Sequence, residues 1–238
     1  MTDLQQSHMG NKLLAALPPE DFEAIAPHLE PVDLPKGTVL AEPDTPVEHV
    51  YFLTNGIGSV IAVTSEGRRV EAGLFGFEGY VPAHVAAGAR LSPHEVVIQV
   101  EAGGYRITFD HLKEAMETSR NLRAVIQLSV AAFTVQVSYT AASNALHSIE
   151  ERLARWLLMC DDRIQGGELR LTHDYIAVML AVRRPSVTTA LHVLEGNRFV
   201  RSERGLITIR DRKSMEEFAG EAYGKPEEYY RDLMGKSM

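Results

Sequence analysis

The chain has 238 residues, of which 45% are hydrophobic, and a formal net charge of −8. This length and composition suit a globular protein with one large or two small domains. No apolar run reaches the 18 residues of a membrane span, and the first six residues lack a signal-peptide layout, so we expect a cytoplasmic protein without membrane association. The single cysteine, Cys160, excludes an internal disulfide and a cysteine-ligated iron–sulfur cluster.

The charge is distributed unevenly along the chain. Between Glu168 and Lys213 nine basic residues stand against five acidic ones, which gives this segment +4 and leaves −12 for the rest. A basic segment on an acidic body is typical of a nucleic-acid-binding unit attached to a sensing or partner-binding domain. The alternative is an ordinary solvated surface.

The first half of the chain changes from helical to strand patterning. Leucines at helical spacing predict short helices between Asn11 and Leu29. From Glu30 to about Ile107, short and often alternating apolar segments are separated by turn residues, as in His49–Thr54, Ser59–Val63 and Val96–Val100. This spacing predicts a β sandwich or jelly roll.

A long helical tract follows Phe109. Asp110 can cap it, and it runs toward Ser148. Its apolar residues recur every three or four positions, at Ile126, Val130, Phe133, Val137 and Ala141. A stripe of this length predicts packing on a second copy of the same helix, and the alternative is packing on the β domain.

Ser148–Glu151 is a capping box, which predicts a hinge near His147 and a new helix from Glu150 to Ile164 that ends at 165–167. Thr172 can cap a helix of about two turns. Pro185 fits the first turn of a second helix, whose apolar stripe includes Val187, Ala190, Leu191 and Leu194. The two predict a helix-turn-helix.

Polar residues open the second helix and suit phosphates or base edges: Arg183, Arg184, Ser186, Thr188 and Thr189. A hairpin follows, formed by Phe199–Ser202 and Leu206–Arg210, and Arg204 at its turn can reach phosphate. A helix, a helix-turn-helix and a hairpin in this order predict a winged helix. Thr172 is a further candidate contact. The tail from Ser214 to Met238 predicts a short amphipathic helix followed by an acidic and aromatic end, to which the sequence assigns no role.

Over nearly its whole length the chain resembles the CRP/FNR family of bacterial transcription regulators. The resemblance implies an α+β protein with a cyclic-nucleotide-binding-like sensor domain at 1–109, a dimerisation helix at 110–147, a winged-helix DNA-binding domain at 148–213 and a tail at 214–238. It also implies a homodimer that binds double-stranded DNA, with RNA polymerase as a further candidate partner and no enzyme activity. The motifs that carry it are Glu151–Leu158, Leu171–Thr172, Val182–Leu191, Leu194–Glu195 and Gly205–Asp211.

Two departures from the family bear on its function. In the segment that matches the cyclic-nucleotide phosphate cassette, Glu78 is retained, but Phe77 stands where Gly is expected and Ser92 where Arg is expected. The effector pocket predicted from Phe77, Glu78, Gly79, Arg90 and Ser92 is therefore expected to bind a small molecule other than cyclic AMP, with Arg90 as a substitute phosphate ligand if its loop shifts.

The second departure lies in the DNA-binding unit. Relatives carry Arg at the position of Thr189, where it reads guanine, and Gly at the position of Ala181 in the turn. We expect Arg184 or Arg183 to take over base reading, with low sequence specificity as the alternative, and we expect Ala181 to fit without positive φ. Two alternatives stay open: a ligand- or partner-binding dimer with a decayed DNA-binding unit, and a cyclic-nucleotide-responsive regulator. His84 and His94 near Glu78 could hold a metal, but we predict no metal and no cofactor.

Overall fold

The computed structural model describes residues 4–164 and 168–235. Two short helices, α1 (Lys12–Ala15) and α2 (Pro19–Ile25), come first. Asn11 caps α1 by accepting hydrogen bonds from the backbone of Leu13 and Leu14. Its buried side-chain amide also donates to the carbonyls of Leu53 and Gly79, both at 2.9 Å, which fixes α1 to the strands that follow.

The strands up to Thr108 form an antiparallel sandwich, as the alternating pattern predicted. Within residues 4–164, one sheet has the order β1-β7-β3 and the other the order β2-β6-β4-β5. Leu53, Val60, Phe75 and Ile98 belong to the core between the sheets. The strands are β1 (Glu30–Leu34), β2 (Val39–Ala41), β3 (His49–Leu53), β4 (Ile57–Val63), β5 (Arg69–Phe75), β6 (Glu95–Val100) and β7 (Ala102–Thr108).

The long helical tract is two helices, α3 (Phe109–Thr118) and α4 (Arg120–Leu146). Thr108, and not Asp110, caps α3, because its extended backbone lets the hydroxyl accept from the backbone of His111. Ser119 is extended as well, which ends α3, and its side chain caps α4 by accepting from the Leu122 backbone. The prediction of an unbroken helix capped by Asp110 was therefore wrong.

Much of the predicted dimer stripe on α4 packs inside its own chain. Ile126 is fully buried in the core shared with the sandwich and the N-terminal helices. Val130 and Phe133 are half-buried against the same domain, Val137 is half-buried, and Ala141 is exposed. Helix α4 approaches the sandwich closely, since Gln136 accepts from the Leu74 backbone N–H at 2.7 Å and donates to its carbonyl at 3.1 Å. Ile126 thus serves intramolecular packing and is not available to a second copy.

Helix α4 also has the length and composition of a membrane span, with a mean hydropathy of 1.3 in its most apolar window. Among the described residues it alone meets this test. Core helices of soluble proteins meet it too, and the hydrogen bonds of Gln136 tie α4 to the sandwich.

The C-terminal third forms a winged-helix unit, called the head below (residues 149–219). Its α5 begins with the predicted capping box: the Ser148 N–H donates to Glu151 at 2.8 Å, and the Glu151 N–H donates to Ser148 at 3.3 Å. Helix α5 ends at Asp161, short of the predicted Ile164, and the predicted stop at 165–167 lies outside the described residues. The elements are α5 (Ile149–Asp161), β8 (Glu168–Leu169), α6 (His173–Met179), α7 (Arg184–Gly196), β9 (Val200–Glu203), β10 (Leu206–Ile209) and α8 (Arg212–Ala219).

The head is docked on the four-stranded sheet. One apolar cluster joins Ile57, Ile61 and Leu74 of that sheet to Trp156 and Met179 of the head. Because this cluster is continuous, the position of the head is set by apolar packing on the sandwich as well as by the turn at His147.

The chain does not end at the head. A 3₁₀ turn leads to α9 (Lys225–Gly235), called the tail helix below, which runs back along α4. Met234 is buried in the core formed by α4 and the N-terminal domain, and the Tyr230 hydroxyl donates to the Glu78 carbonyl at 2.8 Å. The tail helix therefore returns the chain to the domain in which it began.

Candidate nucleic-acid interface and cavity

Helices α6 and α7 and the turn between them form the predicted helix-turn-helix. Thr172 caps α6 by accepting from the Tyr175 backbone at 3.3 Å, as predicted. Ala181 in the turn has φ +51°, so the expectation that it would avoid positive φ was wrong. The reason is the tightness of the turn: the N–H of Val182 reaches back to the Ala177 carbonyl at 3.0 Å, which closes the C-terminus of α6 through a left-handed residue.

Helix α7 presents one buried and one exposed face. The apolar stripe is confirmed, because Val187, Ala190, Leu191 and Leu194 are all at most 1% exposed. On the opposite side an exposed row follows helical spacing through Pro185, Thr189, His192 and Gly196. His192 is not among the DNA-contact candidates taken from the sequence. Its spacing of three residues from Thr189 is the signal that places it on this row.

The two arginines at the start of α7 are exposed. Arg184 Nε lies 3.1 Å from Asp174 Oδ1, and the two side chains are 62% and 76% exposed. A surface pair of this kind contributes about 0 to 1 kcal/mol. Arg184 can therefore exchange Asp174 for a phosphate or a base at little cost.

The hydroxyl-bearing residues of α7 differ in their availability. Thr188 is half-buried, with its hydroxyl 3.0 Å from His173 Nδ1 and 3.4 Å from the Arg184 carbonyl that it donates to. Thr189 is exposed, and its hydroxyl donates to the Pro185 carbonyl at 3.1 Å. Ser186 is half-buried. The geometry thus ties Thr188 to α6 and leaves Thr189 facing solvent.

The hairpin of β9 and β10 is the predicted wing. Gly205 at its turn has φ +75°, a conformation that favours glycine, and Arg204 beside it is exposed. Further exposed basic residues of the head are Arg170, Arg198, Arg201, Arg210 and Lys213. The exposed acidic residues between 168 and 213 are Glu168, Asp174, Glu203 and Asp211, so basic side chains outnumber acidic ones on the exposed surface of this segment.

A cavity of about 560 Å³ lies between the sandwich, α4, the head and the tail helix. Phe77, Glu78 and Gly79 line it, as predicted. Arg90 does not, because it forms a bidentate pair with Asp110 at 3.0 and 3.1 Å and lies over the Phe109 ring. Ser92 is buried away from the cavity and donates to the His94 carbonyl at 2.7 Å. Of the five predicted pocket residues, Phe77, Glu78 and Gly79 therefore line the cavity, whereas Arg90 and Ser92 lie outside it.

The partner of Glu78 comes from the head. Arg163, just after α5, donates to Glu78 Oε1 from Nε at 2.7 Å and from Nη2 at 2.6 Å, and to the Met159 carbonyl at 2.7 Å. Their side chains are only 8% and 17% exposed. Burial alone would lower the pKa of Arg163, but the carboxylates of Glu78 and Asp162 outweigh it and raise that pKa above its ordinary value. Arg163 was missed from sequence because nothing local links it to Glu78.

A second ionic cluster lies at the same cavity. Arg212 at the start of α8 pairs with Asp161, with Asp162 at 2.6 Å and with Glu216 at 2.8 Å. Tyr223 donates to Asp162 at 2.8 Å and accepts from Arg212 at 2.7 Å. The described residues contain no group of three or more His, Cys, Asp or Glu side chains that could hold a metal ion.

Comparisons with known proteins match both halves of this arrangement. The family model of the Crp-like helix-turn-helix domain matches residues 151–218. A solved transcriptional regulator of the crp/fnr family from Eubacterium rectale is 21% identical, with a TM-score of 0.67 over 87% of this chain and 97% of its own. FixK2 from Bradyrhizobium japonicum is 17% identical, with a TM-score of 0.69 over 82% of this chain and 99% of its own.

The c-di-GMP-responsive global regulator CLP of Xanthomonas campestris is 16% identical, with a TM-score of 0.63 over 80% of this chain and 98% of its own. At these identities the likeness to solved structures establishes the fold. No curated protein matches the chain.

Proposed function

We propose that this chain is a CRP/FNR-type transcription regulator that works as a homodimer on a near-palindromic DNA site. The Crp-like helix-turn-helix domain at 151–218 and the fold shared with solved CRP/FNR regulators support this proposal. The observation that carries the DNA contact is the exposed, basic start of α7. Arg183, Arg184 and Thr189 face bases in the major groove, with half-sites about one helical turn apart.

Phosphate contacts come from the edges of the same surface. Thr172 lies at the N-terminus of α6 and Ser186 lies in the first turn of α7, where both can contact phosphates. Arg204 reaches the DNA backbone from the wing. Thr188 positions α7 through its contact with His173 rather than touching DNA. We place the protein in the cytoplasm, where RNA polymerase is a candidate partner.

We infer a dimer face on α4 that differs from the stripe predicted from sequence. Because Ile126 is buried in its own chain, a partner helix has to use the opposite side. The row there that repeats every three or four residues is exposed or half-buried at Ala124, Ala131, Val135, Ser138 and Ala142, while Leu128 of the same row packs partly against its own core. Small residues in this spacing allow close approach of two helices.

We propose that the cavity beside Glu78 is the effector site. Its walls come from the sandwich, α4 and the head, so a bound molecule contacts both domains at once. The effector is a small molecule other than cyclic AMP, because Arg163 already occupies Glu78 and the cassette has no Arg at Ser92. Of the predicted domain limits 1–109, 110–147, 148–213 and 214–238, we propose to move the last boundary to 219, because Met215 and Ala219 of α8 are buried in the core of the head.

An electrophoretic shift assay across salt concentrations tests the DNA contact. We expect binding to promoter fragments from the protein's own genome at low salt, weakening as salt rises. No binding with or without cell extract would reject the proposal and favour a dimer with a decayed DNA-binding unit.

The role of Arg184 is tested by comparing specific with non-specific DNA binding. Arg184→Ala should weaken specific binding far more than non-specific binding, and equal losses would assign Arg184 to phosphate. Calorimetry with cyclic AMP and cyclic GMP tests the remaining alternative, a cyclic-nucleotide sensor, which the size of the cavity favours.

A further inference from the structure

The tail helix is a second connection along the chain between the head and the N-terminal domain, in addition to the apolar packing of the head on the four-stranded sheet. The first connection is the turn between α4 and α5, where His147 and Ser148 both have extended backbone. A unit held only there can pivot about these residues. The tail helix leaves the far end of the head after α8 and inserts its own side chains into the other domain.

Three contacts anchor the tail helix. Met234, 1% exposed, packs in the core that contains Val125 and Ile126 of α4. Pro226 is buried near the start of the helix. Tyr230 donates to the Glu78 carbonyl at 2.8 Å. The helix is thus bound at both of its ends and in its middle.

The tail helix and the head meet the cavity at one residue of the sandwich. Glu78 binds Tyr230 of the tail helix through its backbone and Arg163 of the head through its side chain. Pro226, Glu227 and Arg231 of the tail helix also line the cavity, next to Tyr223 and Arg212. A molecule that fills the cavity therefore contacts groups that hold the head in place.

We propose that the tail helix is an intramolecular clamp, which together with the Glu78–Arg163 pair keeps the head docked on the sandwich over the effector cavity. A regulatory role of this clamp rests on the proposed function: an effector bound in the cavity would act by releasing the clamp. Docking itself is measured without DNA. A failure of the clamp and a failure of DNA binding are therefore distinguishable.

The single tryptophan of the chain reports on docking. Trp156 lies in the head, is 2% exposed, and donates from Nε1 to Glu71 of the sandwich at 2.8 Å. Undocking breaks this bond and exposes the ring to water. The emission maximum of Trp156 then shifts to longer wavelength, and quenching by acrylamide increases. The hydrogen bond of Trp156 is made to the sandwich and not to the tail helix. A tail helix that has no effect on docking would therefore leave the emission of Trp156 unchanged.

The test places a carboxylate at two positions of the tail helix in the full-length protein. Met234→Asp puts it into the buried anchor, and Tyr229→Asp puts it at a position that is 39% exposed on the same helix. We expect Met234→Asp to raise acrylamide quenching of Trp156 several-fold with an unchanged far-ultraviolet circular dichroism spectrum, and Tyr229→Asp to behave as the unaltered protein. Unchanged quenching in a folded Met234→Asp variant, or equal quenching in both variants, would overturn the proposal.

A milder pair of variants decides the matter if Met234→Asp does not fold. Tyr230→Phe removes only the hydroxyl that binds Glu78, and Tyr229→Phe removes an exposed one. We expect Tyr230→Phe to lower the urea concentration at which Trp156 becomes exposed, relative to Tyr229→Phe. Equal midpoints would overturn the proposal.

Discussion

Trp156 of the head and Glu71 of β5 are joined by a hydrogen bond of 2.8 Å across the interface between the two domains. Ser59 donates to the other carboxyl oxygen, and Glu71 is only 5% exposed. Burial raises the pKa of Glu71 from 4.5 to about 7, although the hydrogen bonds from Ser59 and Trp156 and the charges of Arg155 and Arg163 act to lower it. A carboxyl group that titrates near neutral pH thus lies within the contact that positions the head.

This relationship predicts that stability depends on pH. Between pH 4.5 and about 7 the folded protein holds a proton on Glu71 that the unfolded chain has released. The contribution of Glu71 to the unfolding free energy is therefore fully present below pH 4.5 and is lost as the pH rises through 7. The loss is about 3 kcal/mol. Urea midpoints from Trp156 emission at a series of pH values measure it. Glu71→Gln should flatten this dependence, and an unchanged slope in that variant would show that another group is responsible.

The pair of Glu78 and Arg163 predicts a strong coupling between the domains. Arg163→Met leaves the Glu78 carboxylate buried without its partner and should cost about 3 kcal/mol of unfolding free energy. Adding Glu78→Gln should restore most of that loss, because no buried charge then remains. Arg68→Met in the exposed Arg68–Glu66 pair is the control and should cost less than about 1 kcal/mol. Additive losses at 78 and 163 would mean that the pair does not act as a unit.

Thr189 predicts how base recognition can be changed. It is exposed on α7, so Thr189→Arg should gain a bidentate contact to guanine and about 1 to 3 kcal/mol of discrimination at one base pair. Competition between operator variants that differ at single positions measures this gain. Asn197→Arg adds the same charge at the far end of α7 and should strengthen binding to all sequences alike. If Thr189→Arg also acted uniformly, position 189 would not face a base.

Ala181 predicts a stabilising substitution. Its φ of +51° costs an L-residue about 1 to 2 kcal/mol relative to glycine, and the greater freedom of glycine in the unfolded chain offsets part of this. Ala181→Gly should therefore raise the unfolding free energy by about 0.5 to 1 kcal/mol, measured by urea denaturation. Ala141→Gly, at an exposed position within α4 that lies outside the inferred dimer row, should lower it by about 1 kcal/mol. A loss of stability in Ala181→Gly would contradict the cost assigned to the left-handed turn.

Local signals in the sequence were sufficient for the winged helix. The capping box at Ser148, the cap at Thr172 and the proline at 185 were all confirmed, because each acts within one helical turn of its own position. The conformation of Ala181 was not foreseen, because it follows from how tightly α6 and α7 pack and not from the residue type. The stripe on α4 showed correctly which positions are apolar, but periodicity does not say which surface they meet, and the sandwich covers Ile126.

By itself the sequence determined the family likeness, the order of sandwich, long helix and winged helix, and the exposed basic start of α7, since these depend on short-range pattern. Only the tertiary structure decided what surrounds Glu78. Its side-chain partner Arg163 is 85 residues away and its backbone partner Tyr230 is 152 residues away. Contacts at such separations arise from the docking of whole domains, for which no local spacing exists, and they turn a predicted ligand pocket into the point where sensor, head and tail helix meet.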